Sequence, residues 1–392
     1  MPGPLEGITI VEMGTMIAVP GCTHLLATQG ASVVKVEDTA TGDSLRFYGS
    51  NKNGMSGWFA NANAGKRSIA LDLSADEGKE VLWKLLGAAD VFIQGFRPGA
   101  VDRLGFGPEA VMAHNAALVY VSSAGFGLDG PYAEEPVYDP IIQALSGWAG
   151  GQTVAGAPTL IKGFVADKVA AMTTAQAITA ALFSRHTSGR GQHIEMSMLE
   201  ANVAFLWPDV MMHATLLDED ATHLPNLLGH YVLFPSSDGW VSVATGTDKQ
   251  WQGLCNALDR ADILADERFA TGADRNANSS AWYDAIGEMC SAFPSTEVVA
   301  RCKAADVPAV PVYEPAEVVN DAQIVARGAI QEVDHPIVGQ MRVPRQGARF
   351  EGDGESVLTP APSHGQHTSE LLDELGYDAD AVAALRSAGT VL

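Results

Sequence analysis

The sequence predicts an α/β protein: a large half built on a mainly parallel sheet, then a smaller α+β domain. Three observations carry that reading. Short β-branched or apolar runs alternate with helical stretches through the first half. Near residue 218 the pattern changes to a hairpin signal followed by three helices. The chain's 392 residues, 47% of them hydrophobic, suffice for a large core in two domains.

The elements follow in order. Ile8–Val11 is a short apolar run, Gly21–Thr28 reads as a helix and Ser32–Val36 as a strand. Ile69–Leu73 predicts another strand. Ala75–Leu86 predicts a helix with Val81, Leu82, Leu85 and Leu86 on one face. Val91–Ile93, Leu118–Ser122 and the alternating segment His193–Met198 are further strands. Strands separated by helices imply βαβ units, hence a mainly parallel sheet. Leu199–Leu217 reads as a helix interrupted at Pro208. Tyr231–Phe234 and Trp240–Ala244 flank Ser236-Ser-Asp-Gly239, a hairpin turn. Helices are expected near 248–258, 280–291 and 295–304, so the second domain spans 218–325. Strand-like pieces around Pro336 and Gly339 and a short helix at Thr368–Leu375 complete the chain.

Charge and cysteines narrow the function. The 47 acids outnumber the 24 bases and leave a net charge of −23. That balance argues against nucleic acid and anionic membrane as partners. Cys22, Cys255, Cys290 and Cys302 form no C-x-x-C pair. The expectation is four reduced thiols in a cytoplasmic protein with no metal site. No secretory signal or membrane-spanning stretch is read from the sequence.

Several residues offer chemistry, each beside a plainer role. Gly125-Phe-Gly-Leu-Asp-Gly130 fits G-x-G-x-x-G, but Pro131-Tyr-Ala-Glu-Glu-Pro136 follows where a phosphate-binding helix should open. NAD is therefore not expected. Asp139, before Pro140, reads as a helix N-cap, with Tyr138 packing or pointing into a site. Asp167 precedes a small-residue helical run and also reads as an N-cap. A helix N-terminus would keep such a carboxylate ionised, and an ionised carboxylate can attack an activated acyl group. Arg46, Lys66, Arg67, Arg97 and Arg103 are either surface pairs or phosphate contacts.

Eight blocks in order resemble the family III CoA-transferases. They are Pro4-Leu-Glu-Gly-Ile8, Gly30-Ala-Ser-Val-Val-Lys-Val-Glu37, Gly42-Asp-Ser-Leu-Arg46, Gly65-Lys-Arg-Ser-Ile-Ala-Leu-Asp-Leu73, Phe96-Arg-Pro-Gly99, Gly125-Phe-Gly with Gly130-Pro131, Asp167 with Gly189-Arg-Gly-Gln192, and Ala361-Pro with Gly365-Gln-His-Thr368. The resemblance implies a Rossmann-like large domain from 1–217 and 326–392, with 218–325 inserted. It also implies an interlocked homodimer. It makes Asp167 the nucleophile that passes CoA from an acyl-CoA to a carboxylic acid, through an aspartyl anhydride and an aspartyl-CoA thioester. CoA contacts carried over by matching blocks are Ile17, Ala18, Asp38, Leu71, Asp72, Leu73, Ser74, Gly95, Phe96, Arg97, Arg103, Val137 and Tyr138. Asp139 and Gly229 would lie near the substrate. The chain departs from the pattern at Thr15 and Ile17, where formyl-CoA users carry His and Gln. It departs again at Asp38, Gly95 and the single Gly229. An α-methylacyl-CoA racemase of the same fold is the alternative, but Tyr138 stands where its base would be His. A non-catalytic CoA-binding protein is the other.

Overall fold

A computed structural model describes residues 3–154, 156–222, 228, 231–351 and 359–392. One parallel sheet organises the first unit: β1 (Thr9–Met13), β2 (Ser32–Glu37), β3 (Lys66–Ala70), β4 (Val91–Gln94), β5 (Val119–Ala124) and β6 (His193–Ser197). The order is β3-β2-β1-β4-β5-β6, with every neighbouring pair parallel. All six strands therefore end at one edge.

Both faces of a parallel sheet must be covered, so consecutive strand residues are apolar toward opposite sides. Val11, Val34 and Phe92 face α2 (Asp76–Ala88), which contributes Val81, Leu82 and Leu85. Ile10, Val33 and Ile93 face α1 (Ala18–Ala27) and α4 (Val165–Ser188). The small residues of α4 allow that packing: Gly21 of α1 sits against Ala171. Between these helices α3 (Asp139–Ser146) precedes α4, and α5 (Met198–Leu206) follows β6.

Contacts divide the chain into Met1–Leu216 with Ala329–Leu392, and Leu217–Gly328. In the second unit the turn closes as expected, with Ser236 N–H donating to the Gly239 carbonyl at 2.9 Å. It joins β7 (Phe234–Pro235) to β8 (Trp240–Val243), and β9 (Ala309–Pro311) pairs on the other side of β8. Helices α6 (Asp248–Ala257), α7 (Ser279–Ser291) and α8 (Ser295–Ala304) pack there around Trp251, Met289 and Cys302. Back in the first unit, β10 (Ile330–His335) and β11 (Gly339–Pro344) form an antiparallel hairpin. Helices α9 (Thr368–Glu374) and α10 (Ala379–Ser387) cover the α2 face of the sheet through Leu371, Leu372 and Leu385.

Three expectations are corrected. The third strand begins at Lys66 rather than Ile69, because its two charged residues find partners. The helix expected over Leu199–Leu217 ends at Leu206, before Pro208. Neither Asp167 nor Asp139 is an N-cap: those positions belong to Phe164 and Tyr138, and both acids lie in the first turn.

Apart from half-buried Arg67, the charged residues of β1–β3 are not on the surface. Glu12 and Lys35 are fully buried, and Lys66 is 1% exposed. Glu12 takes Lys35 at 2.7 Å and Lys66 at 2.8 Å, while Lys35 reaches Asp43 at 2.9 Å. Thr23 adds a short hydroxyl bond to Glu12. Burial alone would raise the Glu12 carboxyl; the two ammonium groups outweigh it and bring it down to about 2. Beside it Arg46 forks onto Glu37 at 2.7 and 2.9 Å, under the Phe59 ring. Arg46 and Lys66 are thus neither surface pairs nor phosphate contacts. Glu12→Gln should destabilise the protein by about 3–5 kcal/mol, because buried Lys66 loses its anion and Lys35 keeps only Asp43. Urea unfolding at pH 7 measures this; a loss under about 1 kcal/mol would show the network to be no more than a surface pair in strength.

Candidate active site

The strand order reverses between β1 and β4, so the chains leaving those strands turn to opposite faces and open a crevice. A cavity of ≈ 400 Å³ lies there. Its walls come from Thr15, Met16 and Ala18 after β1, and from Gly95, Phe96, Arg97 and Pro98 after β4. Ser123–Phe126 at the end of β5, Val137–Pro140, Phe164, Asp167 and Met198 close it.

Each wall has a physical cause. Met16 is held in the left-handed region, at φ 64°, where a side chain is strained. Its N–H donates to Asp43 Oδ1 at 3.1 Å, so the buried ion network shapes this loop. On the opposite wall Gln94 Oε1 accepts the Phe96 N–H at 2.9 Å. Gly95 is small of necessity, since a Cβ there would meet Val19 Cγ2 at 2.9 Å. Gly125 is crossed closely by Val137, and any Cβ would collide with it. That close approach brings Tyr138 and Asp139 over the end of β5.

Asp167 sits half-buried in the first turn of α4. Its own N–H donates to Asp139 Oδ2 at 3.0 Å. Asp139 is 4% exposed, and its other oxygen accepts Gln143 Nε2 at 2.6 Å. From α5, buried Asn202 donates to the Ala166 carbonyl at 3.1 Å and accepts Trp148 Nε1–H at 2.9 Å. Phe164, at the N-cap, meets Trp58 edge-on at 5.1 Å. The turn that carries Asp167 is therefore held from three sides.

This environment overturns the expectation that the helix end keeps Asp167 ionised. Burial first, and then the Asp139 carboxylate, push its carboxyl up to about 7; Lys168 opposes weakly. Asp167 is a carboxyl that titrates near neutral pH.

The cavity brings together Ala18, Gly95, Phe96, Arg97, Val137, Tyr138, Asp139 and Asp167. Other expected residues lie outside its walls. Ile17 packs toward Leu45 and Phe59. Asp38 is exposed and caps its own turn, accepting the Ala40 and Thr41 N–H groups at 2.9 and 3.0 Å. Leu71 is 1% exposed, Asp72 binds Ser74 at 2.7 Å, and Leu73 packs on the core. Arg103 is exposed. Gly229 lies outside the described residues. The sequence reading missed Gln143, Asn202 and Phe164. Only the Asp139–Gln143 spacing, one helical turn, was a signal for any of them.

Among the basic candidates, Arg67 binds Glu370 and Glu374 at 3.0 and 2.6 Å. Arg97 and Arg103 make no ion pair among the described residues. A larger cavity of ≈ 590 Å³, between His24 and the β10–β11 hairpin, contains none of these residues. All four cysteines are buried, and burial pushes the Cys255 and Cys290 thiols up to about 12. They are poor nucleophiles. Among the described residues no helix is long and apolar enough to cross a membrane.

The fold is a doubly wound α/β sheet with a carboxyl at its switch point. The chain belongs to CoA-transferase family III, whose model matches residues 5–368. It is 32% identical to the succinate–glutarate CoA-transferase of Agrobacterium fabrum over 95% of this chain and 96% of that protein. It is 28% identical to the formyl-CoA:oxalate CoA-transferase of Escherichia coli O157:H7, over 98% and 99%. A crystal structure of a CAIB/BAIF family protein from Brucella suis superposes with a TM-score of 0.84 at 31% identity, covering 96% of this chain and 100% of that one. The chain is thus a CoA-transferase, and enzymes of this class take CoA thioesters as substrates.

The raised carboxyl has a cost that depends on pH. Below the ordinary value of 3.8 Asp167 is protonated folded or unfolded, and the cost is absent. It grows as pH rises from 3.8 to about 7, where the unfolded chain has lost a proton that the folded one keeps. Asp167→Asn should therefore match the parent near pH 4 and exceed its stability at pH 8 by on the order of 2 kcal/mol, allowing for partial solvent screening. Denaturation curves at the two pH values test this; an equal difference at both would contradict the buried carboxyl.

Proposed function

We propose that Asp167 is the nucleophile of a CoA transfer from an acyl-CoA to a carboxylic acid. The observation that carries this is Asp167 on the cavity wall, its carboxyl raised to about 7 beside Asp139. When ionised, a carboxylate stripped of water is a stronger nucleophile than one in solution. Asp167 attacks the thioester carbonyl; the C–S bond breaks and CoA leaves as thiolate, leaving an acyl-aspartyl anhydride. The thiolate attacks the aspartyl carbonyl, giving aspartyl-CoA thioester and freeing the donor acid. The acceptor carboxylate attacks that thioester and releases the thiolate again. The thiolate then takes the new acyl group, and Asp167 returns as carboxylate.

Coenzyme A enters and leaves as substrate, with no role for NAD or a metal. Its thioester end occupies the cavity near Ala18, Gly95, Phe96, Val137 and Tyr138. Its nucleotide end lies along the same sheet edge, past Arg97 and Arg103, over Leu71–Ser74. Ile17, Asp38 and Gly229 are the remaining proposed contacts. The working form is an interlocked homodimer in the cytoplasm. Exposed apolar side chains on α4 and α5 support a partner: Phe183 is 77%, Met172 63% and Phe205 57% exposed. Relatives named for succinate and glutarate make succinyl-CoA the first donor to assay.

Asp167→Ala should abolish CoA exchange in a folded protein, read by mass spectrometry of the CoA products. Full exchange in that variant would refute the mechanism. In the parent enzyme only the ionised form attacks, so the donor half-reaction should rise with pH through about 7. A midpoint near 4 would contradict it. Arg97→Ala should raise KM for acyl-CoA about tenfold and leave kcat within about threefold, as expected for a phosphate contact. A fall in kcat alone would remove Arg97 from that role.

A further inference from the structure

We propose that Gln143 is a positioning residue for Asp167, acting through Asp139 and through the 161–163 segment that leads into α4. This rests on the reading of Asp167 as the attacking group and adds the residue that sets how it is held. Gln143 is 1% exposed and stands one turn after Asp139 on α3. Its Nε2 donates to Asp139 Oδ1 at 2.6 Å, to the Ile161 carbonyl at 3.1 Å and to the Gly163 carbonyl at 3.2 Å. Its Oε1 accepts the Ile161 N–H at 2.9 Å.

A methionine would fill the same space. A buried amide is favourable here only because four polar groups need it. One side chain thus joins the acid on α3 to the segment entering α4, and that same acid accepts the Asp167 N–H. The charged and titratable groups around Asp167 are Asp139 on α3, Tyr138 ahead of it, Lys168 on α4, and Glu135 and Arg97 on the cavity wall. Gln143 bonds to Asp139 among these.

The consequence has a sign. Without the amide, Asp139 loses an N–H donor. The Asp139 carboxylate is then no longer held against the first turn of α4. Its repulsion of Asp167 then weakens, and Asp167 titrates at lower pH. The loosened turn also misaims the attack.

The test follows the carboxyl carbon of Asp167 by NMR in the whole protein labelled with ¹³C-aspartate, without thioester, its signal assigned by loss in Asp167→Asn. In Gln143→Met and in Asp139→Asn the midpoint should fall by about one unit or more. The double variant should fall no further than Asp139→Asn alone, since Gln143 acts through Asp139. CoA exchange in Gln143→Met should lose about 10–100-fold in kcat, with KM changed less than about threefold. An unmoved midpoint, or additive shifts in the double variant, overturns the proposal. If Gln143→Met does not fold, Gln143→Asn, one methylene short of Asp139, is measured the same way. The titration needs no thioester, so the positioning role and the transfer reaction fail separately.

Discussion

Glu12 between two buried ammonium groups is the constraint on which the large unit turns. It lies on the central strand β1, and its partners lie on β2 and β3. A buried anion with one cation removed is costly, so these three strands are tied in register by charge as well as by backbone bonds. Lys35 carries the tie onward to Asp43, and Asp43 accepts the N–H of strained Met16. The wall of the cavity after β1 is thus the far end of a network that begins under the sheet.

Two acids in this fold meet burial in opposite ways. Glu12 is driven down to about 2 because Lys35 and Lys66 surround it. Asp167 is driven up to about 7 by burial first and by its neighbour Asp139 second. Both are desolvated, which raises a carboxyl; only beside Glu12 do cations reverse the sign. A carboxylate satisfied by two lysines is inert, and one facing another carboxylate holds its charge at a cost. The second arrangement is sustained by the three-sided clamp on the first turn of α4.

The α/β fold was legible because its signals are local and repeated. Alternating apolar faces, as in Ile10–Val11 and Phe92–Ile93, show directly in the sequence. Lys66 and Arg46 were not legible as buried, because their partners lie 54 and 9 residues away. Asp167 stood out as an acid at a helix start, but its ionisation was misread. The helix dipole is visible in a sequence; the neighbour Asp139, 28 residues back, is not. Amides are common in helices, so Asn202 gave no chemical signal and Gln143 only its one-turn spacing from Asp139; burial singles them out.

The distribution of basic residues joins these points. Lys35, Lys66 and Arg46 are committed beneath the sheet, and Arg67 to two acids of α9. Of the basic candidates read from the sequence, this leaves Arg97 on the cavity wall and Arg103 close by without an ion pair among the described residues. In a chain of net charge −23, an anionic substrate gains little from the overall field. Its charge must be met locally, and the two unpaired arginines stand at the edge where the strands end. Had any of the buried cations been free to reach Asp167, its carboxyl would have fallen with that of Glu12. Keeping the cations under the sheet and the anion Asp139 beside the cavity separates a stable core from a reactive acid within one domain.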